Sequence, residues 1–316
     1  MDGKATHTPD VLVLGGGGIL GEAWMSALLT GLEEGPQFDA RGCGLYLGTS
    51  AGSIVAASLA SGIEPGARLG RLPEQPEVAP DEASTPDPGP GWRPPPTAAA
   101  LGGAAAASLA SLAIGSTASG GALIRRAALS RVPRGRRSLE GLATVLDEAG
   151  ARFDGRLWVT AVELESGRRV IFGSPGAPAA AVGTAVEASC SIPGVFAPVR
   201  IGERTYVDGG AWSPTNMDAI EVHAGMTVTC LNPTGSMRPT VGSVLGALGS
   251  VSRGVAAAEA LALRHRGALV TTISPDRESS RAMGVNLMDG SRRAEVIAAG
   301  VAQGRRILAE ERRSAA

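Results

Sequence analysis

Gly48-Thr49-Ser50-Ala51-Gly52 is the stretch that decides the fold. A serine between two near glycines, after one short apolar run and before another, is the pattern of a nucleophile elbow. The run Cys43-Gly44-Leu45-Tyr46-Leu47 reads as a short buried strand, and Ser53-Ile54-Val55-Ala56-Ala57-Ser58-Leu59-Ala60 reads as a helix. The chain must then turn sharply from strand to helix with the Ser50 hydroxyl exposed. A β-carbon at Gly48 or Gly52 would crowd that turn. The helix N-terminus behind Ser50 also favours developing negative charge.

Upstream, Val11-Leu12-Val13-Leu14 is an apolar strand of the kind buried on both faces of a parallel sheet. It feeds Gly15-Gly16-Gly17-Gly18-Ile19-Leu20-Gly21, and a helical stretch follows over 22–34. Bare backbone N–H groups at a helix start form an anion site. Such a site serves either phosphate binding or an oxyanion hole for acyl transfer. Gly16, Gly18 and Gly21 fit the dinucleotide spacing. The acidic partner expected about 20 residues later would be Asp39, which stands among loop-like residues. A P-loop is excluded, because no Gly-Lys-Ser/Thr follows.

Far downstream lies Arg204-Thr205-Tyr206-Val207-Asp208-Gly209-Gly210, a β-prone run ending in a carboxylate and two glycines. A serine is a weak nucleophile until a nearby base takes its proton. Asp208 fits that role if burial raises its basicity. An ordinary Asp-Gly turn fits the same residues.

Together these pieces resemble the patatin-like phospholipase family. The resemblance rests on Gly16-Gly17-Gly18-Ile19-Leu20-Gly21, Gly48-Thr49-Ser50-Ala51-Gly52, Asp208-Gly209-Gly210 and Glu187-Ala188-Ser189-Cys190-Ser191-Ile192-Pro193-Gly194-Val195-Phe196. It covers residues 10 to about 220. It implies a three-layer α/β/α fold with a mainly parallel central sheet, distantly related to the α/β-hydrolases. It also implies a Ser–Asp dyad without histidine and hydrolysis of acyl esters of lipids. Residue by residue, Ser50 is the nucleophile and Asp208 the base, with Gly16, Gly17 and Gly18 as oxyanion donors. Leu20 departs from the pattern, because the family usually carries Arg or Lys there.

The chain has 316 residues, enough for one large core. With 29 Lys and Arg against 30 Asp and Glu, its formal net charge is −1. Nothing in that balance points to nucleic acid or an anionic membrane. Cys43, Cys190 and Cys230 are three in number and widely spaced, which argues against a disulfide framework or a zinc site. No metal or organic cofactor is expected. Residues 1–9 are short and polar, so no secretory signal is read and a cytoplasmic setting is expected.

One acyl hydrolase domain over 1–316 is expected, with its core in 10–62 and 139–275. Between these lies a stretch, 64–97, with ten prolines, which reads as a loop insertion. Residues 98–114 are uncharged and rich in Ala, Gly, Ser and Leu, and Arg125, Arg126, Arg131, Arg134, Arg136 and Arg137 follow. Residues 98–137 read as a cap that contacts lipid, with the arginines as a solvated face or a headgroup-binding cluster. A C-terminal helix is expected over 290–312.

His7, His223 and His265 are the only histidines. The order Ser50, Asp208, then His223 or His265 would permit a triad; the dyad is the expected arrangement. The leading reading is hydrolysis of a lipid or lipid-like ester. An acyltransferase on the same dyad and a nucleotide-binding module using Gly16 to Gly21 are the alternatives. Peripheral membrane contact is a further expectation; oligomeric state is left open.

Overall fold

The alternation in Val11-Leu12-Val13-Leu14 sets the layering. Successive strand side chains point to opposite faces. Leu12 and Leu14 join one buried cluster and Val11 and Val13 join another. The computed structural model describes residues 6–70, 121–133, 135, 137–236 and 244–315.

The strands are β1 (Val11–Leu14), β2 (Leu45–Thr49), β3 (Leu157–Glu163), β4 (Arg169–Phe172), β5 (Val199–Ile201), β6 (Arg204–Asp208), β7 (Thr227–Leu231) and β8 (Leu269–Ile273). They form one sheet in the order β5-β6-β3-β2-β1-β7-β8, with β4 also paired to β3. β8, β7, β1, β2 and β3 run parallel. β4 and β6 run antiparallel to β3, and β5 antiparallel to β6.

The helices are α1 (Gly18–Leu32), α2 (Ala51–Ala60), α3 (Gly121–Leu129), α4 (Glu140–Glu148), α5 (Val182–Cys190), α6 (Val244–His265), α7 (Arg277–Met283) and α8 (Arg293–Ala315). One face of the sheet packs Leu12, Leu14, Tyr46 and Val159 against Trp24 of α1, Val55 of α2, Val186 of α5 and Val296 of α8. The other face packs Val11, Val13, Cys230 and Val270 against Ala260 and Leu263 of α6. Each fully buried Leu or Val in these layers stabilises the fold by about 1.5–3 kcal/mol. The result is the expected three-layer α/β/α arrangement around a mainly parallel sheet.

α8 is a brace across α1. The Trp24 indole N–H donates to Gln303 Oε1 at 2.9 Å inside the core. Buried Glu22 of α1 accepts from Arg68 at 2.7 Å and from Arg293 at 2.6 Å. Arg68 belongs to the short 3₁₀ turn Pro65–Arg68 at the start of the proline-rich stretch. Residues 71–97 of that stretch, and residues 98–120 of the expected cap, lie outside the described residues.

Two local expectations are corrected. β2 begins at Leu45, not Cys43, because its pairing with β1 starts at Val11 opposite Leu45. Arg125 belongs to no solvated face. It is fully buried on α3, donates from Nε to the Ala211 carbonyl at 3.1 Å and from Nη1 to the Gly167 carbonyl at 2.6 Å, and stacks 4.0 Å from the Trp212 ring centre. Arg126, Arg131 and Arg137 are exposed, while Arg134 and Arg136 lie outside the described residues.

Candidate active site

β3 brings the distant parts of the sequence together. It bonds to β2 along 157–160, to β6 along 161–163, and to β4 along 159–162. A strand has two edges, and β4 overlaps both other partners. β2 and β6 therefore share the second edge end to end. β2 arrives parallel and β6 antiparallel, so their C-terminal ends meet head-on. Thr49 pairs with Thr160, and Asp208 pairs with the next residue, Ala161. Ser50 and Asp208 emerge from that junction.

Ser50 has φ 51° and ψ −125°, outside the usual regions for an L-residue. Strain of this kind persists where the surroundings over-determine it, and here they do. The Ser50 N–H donates to Ser189 Oγ at 2.8 Å. The Ser50 carbonyl accepts from Ser53 Oγ at 2.6 Å and from the Ser53 N–H at 2.8 Å. The two elbow glycines are required by close approach. A Cβ on Gly48 would lie 2.4 Å from Ser53 Cα, and one on Gly52 would lie 1.9 Å from the Leu14 carbonyl oxygen.

The Ser50 hydroxyl stands beside the Asp208 carboxyl and pulls its pKa down. Asp208 Oδ1 accepts from the Gly210 N–H at 2.7 Å, and the Asp208 N–H donates to the Ser191 carbonyl at 3.0 Å. Asp208 is 3% exposed and no cation contacts its carboxyl among the described residues. Desolvation therefore dominates and pushes its pKa up to about 6, against the opposing pull of the Ser50 hydroxyl and the Gly210 amide.

The glycine loop lies against this pair. A Cβ on Gly16 would stand 3.5 Å from Ser50 Cβ. The Gly15 N–H donates to the Leu231 carbonyl and the Gly16 N–H to the Pro214 carbonyl, both at 2.9 Å. Gly17 and Gly18 N–H groups have no protein partner among the described residues. They open α1, so the helix dipole adds to their pull on negative charge. Leu20 is fully buried in the core, and its N–H donates to the Leu287 carbonyl at 3.0 Å. An apolar side chain is what that position accepts in this chain.

The remaining sequence candidates lie elsewhere. His223 sits beside Asp10, at the edge of the sheet where the parallel strands begin. His265 ends α6, which leads into the start of β8, and is exposed. Ser50 follows the end of β2, so both rings are at the far edge from it. Asp39 precedes β2, is exposed, and its N–H donates to Thr8 Oγ1 at 2.7 Å. It too lies at the far edge from the glycine loop, which leaves the nucleotide reading without its acidic partner. Cys43, Cys190 and Cys230 are free and buried. Among the described residues, no group of three His, Cys, Asp or Glu stands close enough to hold a metal.

Sequence reasoning missed Ser189, which holds the Ser50 amide, although it stands in the quoted 187–196 stretch. It also missed Asn216 and Pro214. Their only local signal is an Asn, the residue most tolerant of left-handed backbone after glycine, a few residues beyond Asp208-Gly209-Gly210.

The patatin-like phospholipase family model matches residues 12–220, more than half of the chain. Among solved structures the chain is similar to VipD from Legionella pneumophila, with 14% identity and a TM-score of 0.42, covering 96% of this chain and 67% of that one. It is also similar to the type III effector protein ExoU, with 16% identity and a TM-score of 0.38, covering 96% of this chain and 53% of that one. No curated protein matches the chain. The matched span carries both strand ends that meet at β3 and the glycine loop beside them: the chain belongs to the patatin-like phospholipase family.

Proposed function

We propose that this protein is a serine hydrolase that cleaves fatty-acyl esters of lipids through Ser50 and Asp208. The single observation that carries the reading is the meeting of a strained serine, only 7% exposed rather than open as the elbow pattern predicts, with a buried, cation-free carboxylate at the β2–β6 junction. A carboxylate with a pKa of about 6 is ionised at neutral pH yet basic enough to take a hydroxyl proton in the transition state.

In the first half-reaction Ser50 Oγ bonds to the acyl carbon and its proton passes to Asp208. The carbonyl oxygen becomes an oxyanion, held by the Gly17 and Gly18 N–H groups. Gly16 shapes the loop, its own amide being engaged by Pro214. The ester C–O bond then breaks, and the leaving alcohol takes the proton from Asp208. In the second half-reaction water attacks the acyl carbon, gives a proton to Asp208, and releases the fatty acid as Ser50 recovers its proton. In this reading segments 10–62 and 139–275 build the catalytic unit and α8 braces it.

The test is turnover of a p-nitrophenyl acyl ester and of a phospholipid in micelles, beside a melting curve. Ser50→Ala removes one oxygen and should abolish both activities with the melting temperature unchanged. Retained turnover in that variant would remove Ser50 as nucleophile.

A further inference from the structure

Residues 213–216 bond to the residue before Ser50, the residue after Asp208 and the glycine loop, although none of them reacts in the scheme above. Asn216 is fully buried, with φ 52° and ψ 24°. Ser50 and Asn216 are the two non-glycine residues with positive φ among the described residues. The Asn216 amide nitrogen faces four acceptors: the Ser213 carbonyl at 2.6 Å, Thr49 Oγ1 at 3.1 Å, the Gly209 carbonyl at 3.2 Å and Thr160 Oγ1 at 3.4 Å. Thr49 is the residue before the nucleophile, and Gly209 is the residue after the base. Two residues back, the Pro214 carbonyl accepts the Gly16 N–H at 2.9 Å.

The orientation of the amide is not arbitrary. Its Oδ1 accepts from Arg169 Nη1 at 3.3 Å, and two of the atoms facing its nitrogen are carbonyl oxygens, which only accept. An Asn placed the other way round would set oxygen against oxygen. The segment itself is fixed from behind. Ser213 Oγ accepts the Thr215 and Asn216 N–H groups at 3.2 and 3.0 Å. Buried Glu259 of α6 accepts from the Thr215 hydroxyl and, at 3.0 Å, from the Met217 N–H.

We infer that Asn216 is a positioning residue for the Ser50–Asp208 reaction, its amide and the Pro214 carbonyl together setting the elbow, the base turn and the glycine loop in one register. β3 fixes the two strand ends along the sheet. Asn216 ties the last residue of β2, Thr49, to Gly209, the first residue beyond β6. Loss of the tie lets the turns drift by a fraction of an ångström, and reactions of this kind lose about a hundredfold for a misplacement near 1 Å.

The inference rests on the proposed Ser50–Asp208 dyad, and its test keeps the two apart. Asn216→Gly retains a residue at ease in left-handed backbone but removes the donor. Thr49→Val removes one acceptor, and Thr49→Ser restores it. All are assayed by ester turnover well below their melting temperatures, with Ser50→Ala as the control that reports on the dyad. For Asn216→Gly a fall in kcat of about tenfold or more is expected, with KM within about twofold. Thr49→Val should fall in the same sense, Thr49→Ser should recover, and the double variant should lose less than the product of the single losses. A kcat within twofold of the parent in Asn216→Gly, or a loss explained wholly by its unfolded fraction, overturns the positioning role while leaving the dyad standing. If Asn216→Gly does not fold, Thr49→Val decides. An unchanged kcat, or a loss that Thr49→Ser does not restore, counts against the role.

Discussion

Asp10 and Asp208 are the same residue type at opposite edges of one sheet, and they titrate in opposite directions. Asp10 stands where β1 begins. Its carboxyl accepts from the Thr227 N–H at 2.7 Å and the Thr227 hydroxyl at 2.8 Å, and these bonds hold its pKa below the ordinary value. Asp208 stands where β6 ends, is buried, and is pushed up to about 6. The difference is the balance between solvent lost and hydrogen bonds gained. Where bonds to the ionised form win, the carboxylate staples β1 to β7. Where desolvation wins, the carboxylate gains the basicity that the proposed reaction needs.

The largest expected effect separates the two edges by activity. Asp208→Asn should cut ester turnover by about a thousandfold or more. Asp10→Asn should leave kcat within about twofold. Comparable losses in both variants would mean that the far edge also serves the reaction. His223→Ala, beside Asp10, should likewise keep most of the activity; a loss of about a thousandfold would point to a triad and sink the dyad.

Next comes the loop proposed to receive the developing charge. A Cβ on Gly17 would lie 2.6 Å from Pro233 Cβ and 2.9 Å from Gly21 Cα, so the loop must shift. Gly17→Ala should lower kcat by about 10²–10³, the cost of a lost oxyanion donor elsewhere. The change should appear in kcat more than in KM, as read from full saturation curves.

The pH dependence sharpens the comparison by sign. Activity should rise with pH through an inflection near 6, as Asp208 ionises. Stability runs the other way. Asp208 is raised from 3.8 to about 6, so between those values the folded chain holds a proton that the unfolded chain has lost. Its contribution is complete below about pH 4 and is lost as pH rises to 6, on the order of 3 kcal/mol. Asp208→Asn should therefore melt higher than the parent at pH 8, and the gap should close by pH 4. Asp10 has a lowered pKa, so its contribution is present above the ordinary aspartate range and is lost on acidification. Asp10→Asn should cost about 1 kcal/mol at neutral pH, the smallest effect in the series, seen by denaturant titration.

The sequence was most legible where chemistry is local. Ser50 needs a tight turn, and only Gly48 and Gly52 permit the approach to Ser53 and Leu14. The apolar alternation of β1 announced a sheet covered on both faces. Asp208-Gly209-Gly210 was legible as a turn, but its meeting with Ser50 depends on β3 accepting a parallel and an antiparallel partner along one edge. No spacing encodes that. Asn216 was illegible for the same reason, because its acceptors come from β2, β3 and the turn after β6. Arg125 looked like one member of a basic run. Its burial follows from Trp212 and two backbone carbonyls that the linear sequence keeps far from it.

The most direct measurement of the central claim is covalent labelling by a fluorophosphonate ester, with the modified peptide identified by mass spectrometry and the rate followed from pH 4.5 to 8. The Ser50–Asp208 dyad predicts a single label on Ser50, a rate that rises with pH through an inflection near 6, and a rate lowered by about a thousandfold in Asp208→Asn. Labelling at another residue, or a Ser50 rate that neither titrates near 6 nor responds to Asp208→Asn, would contradict it.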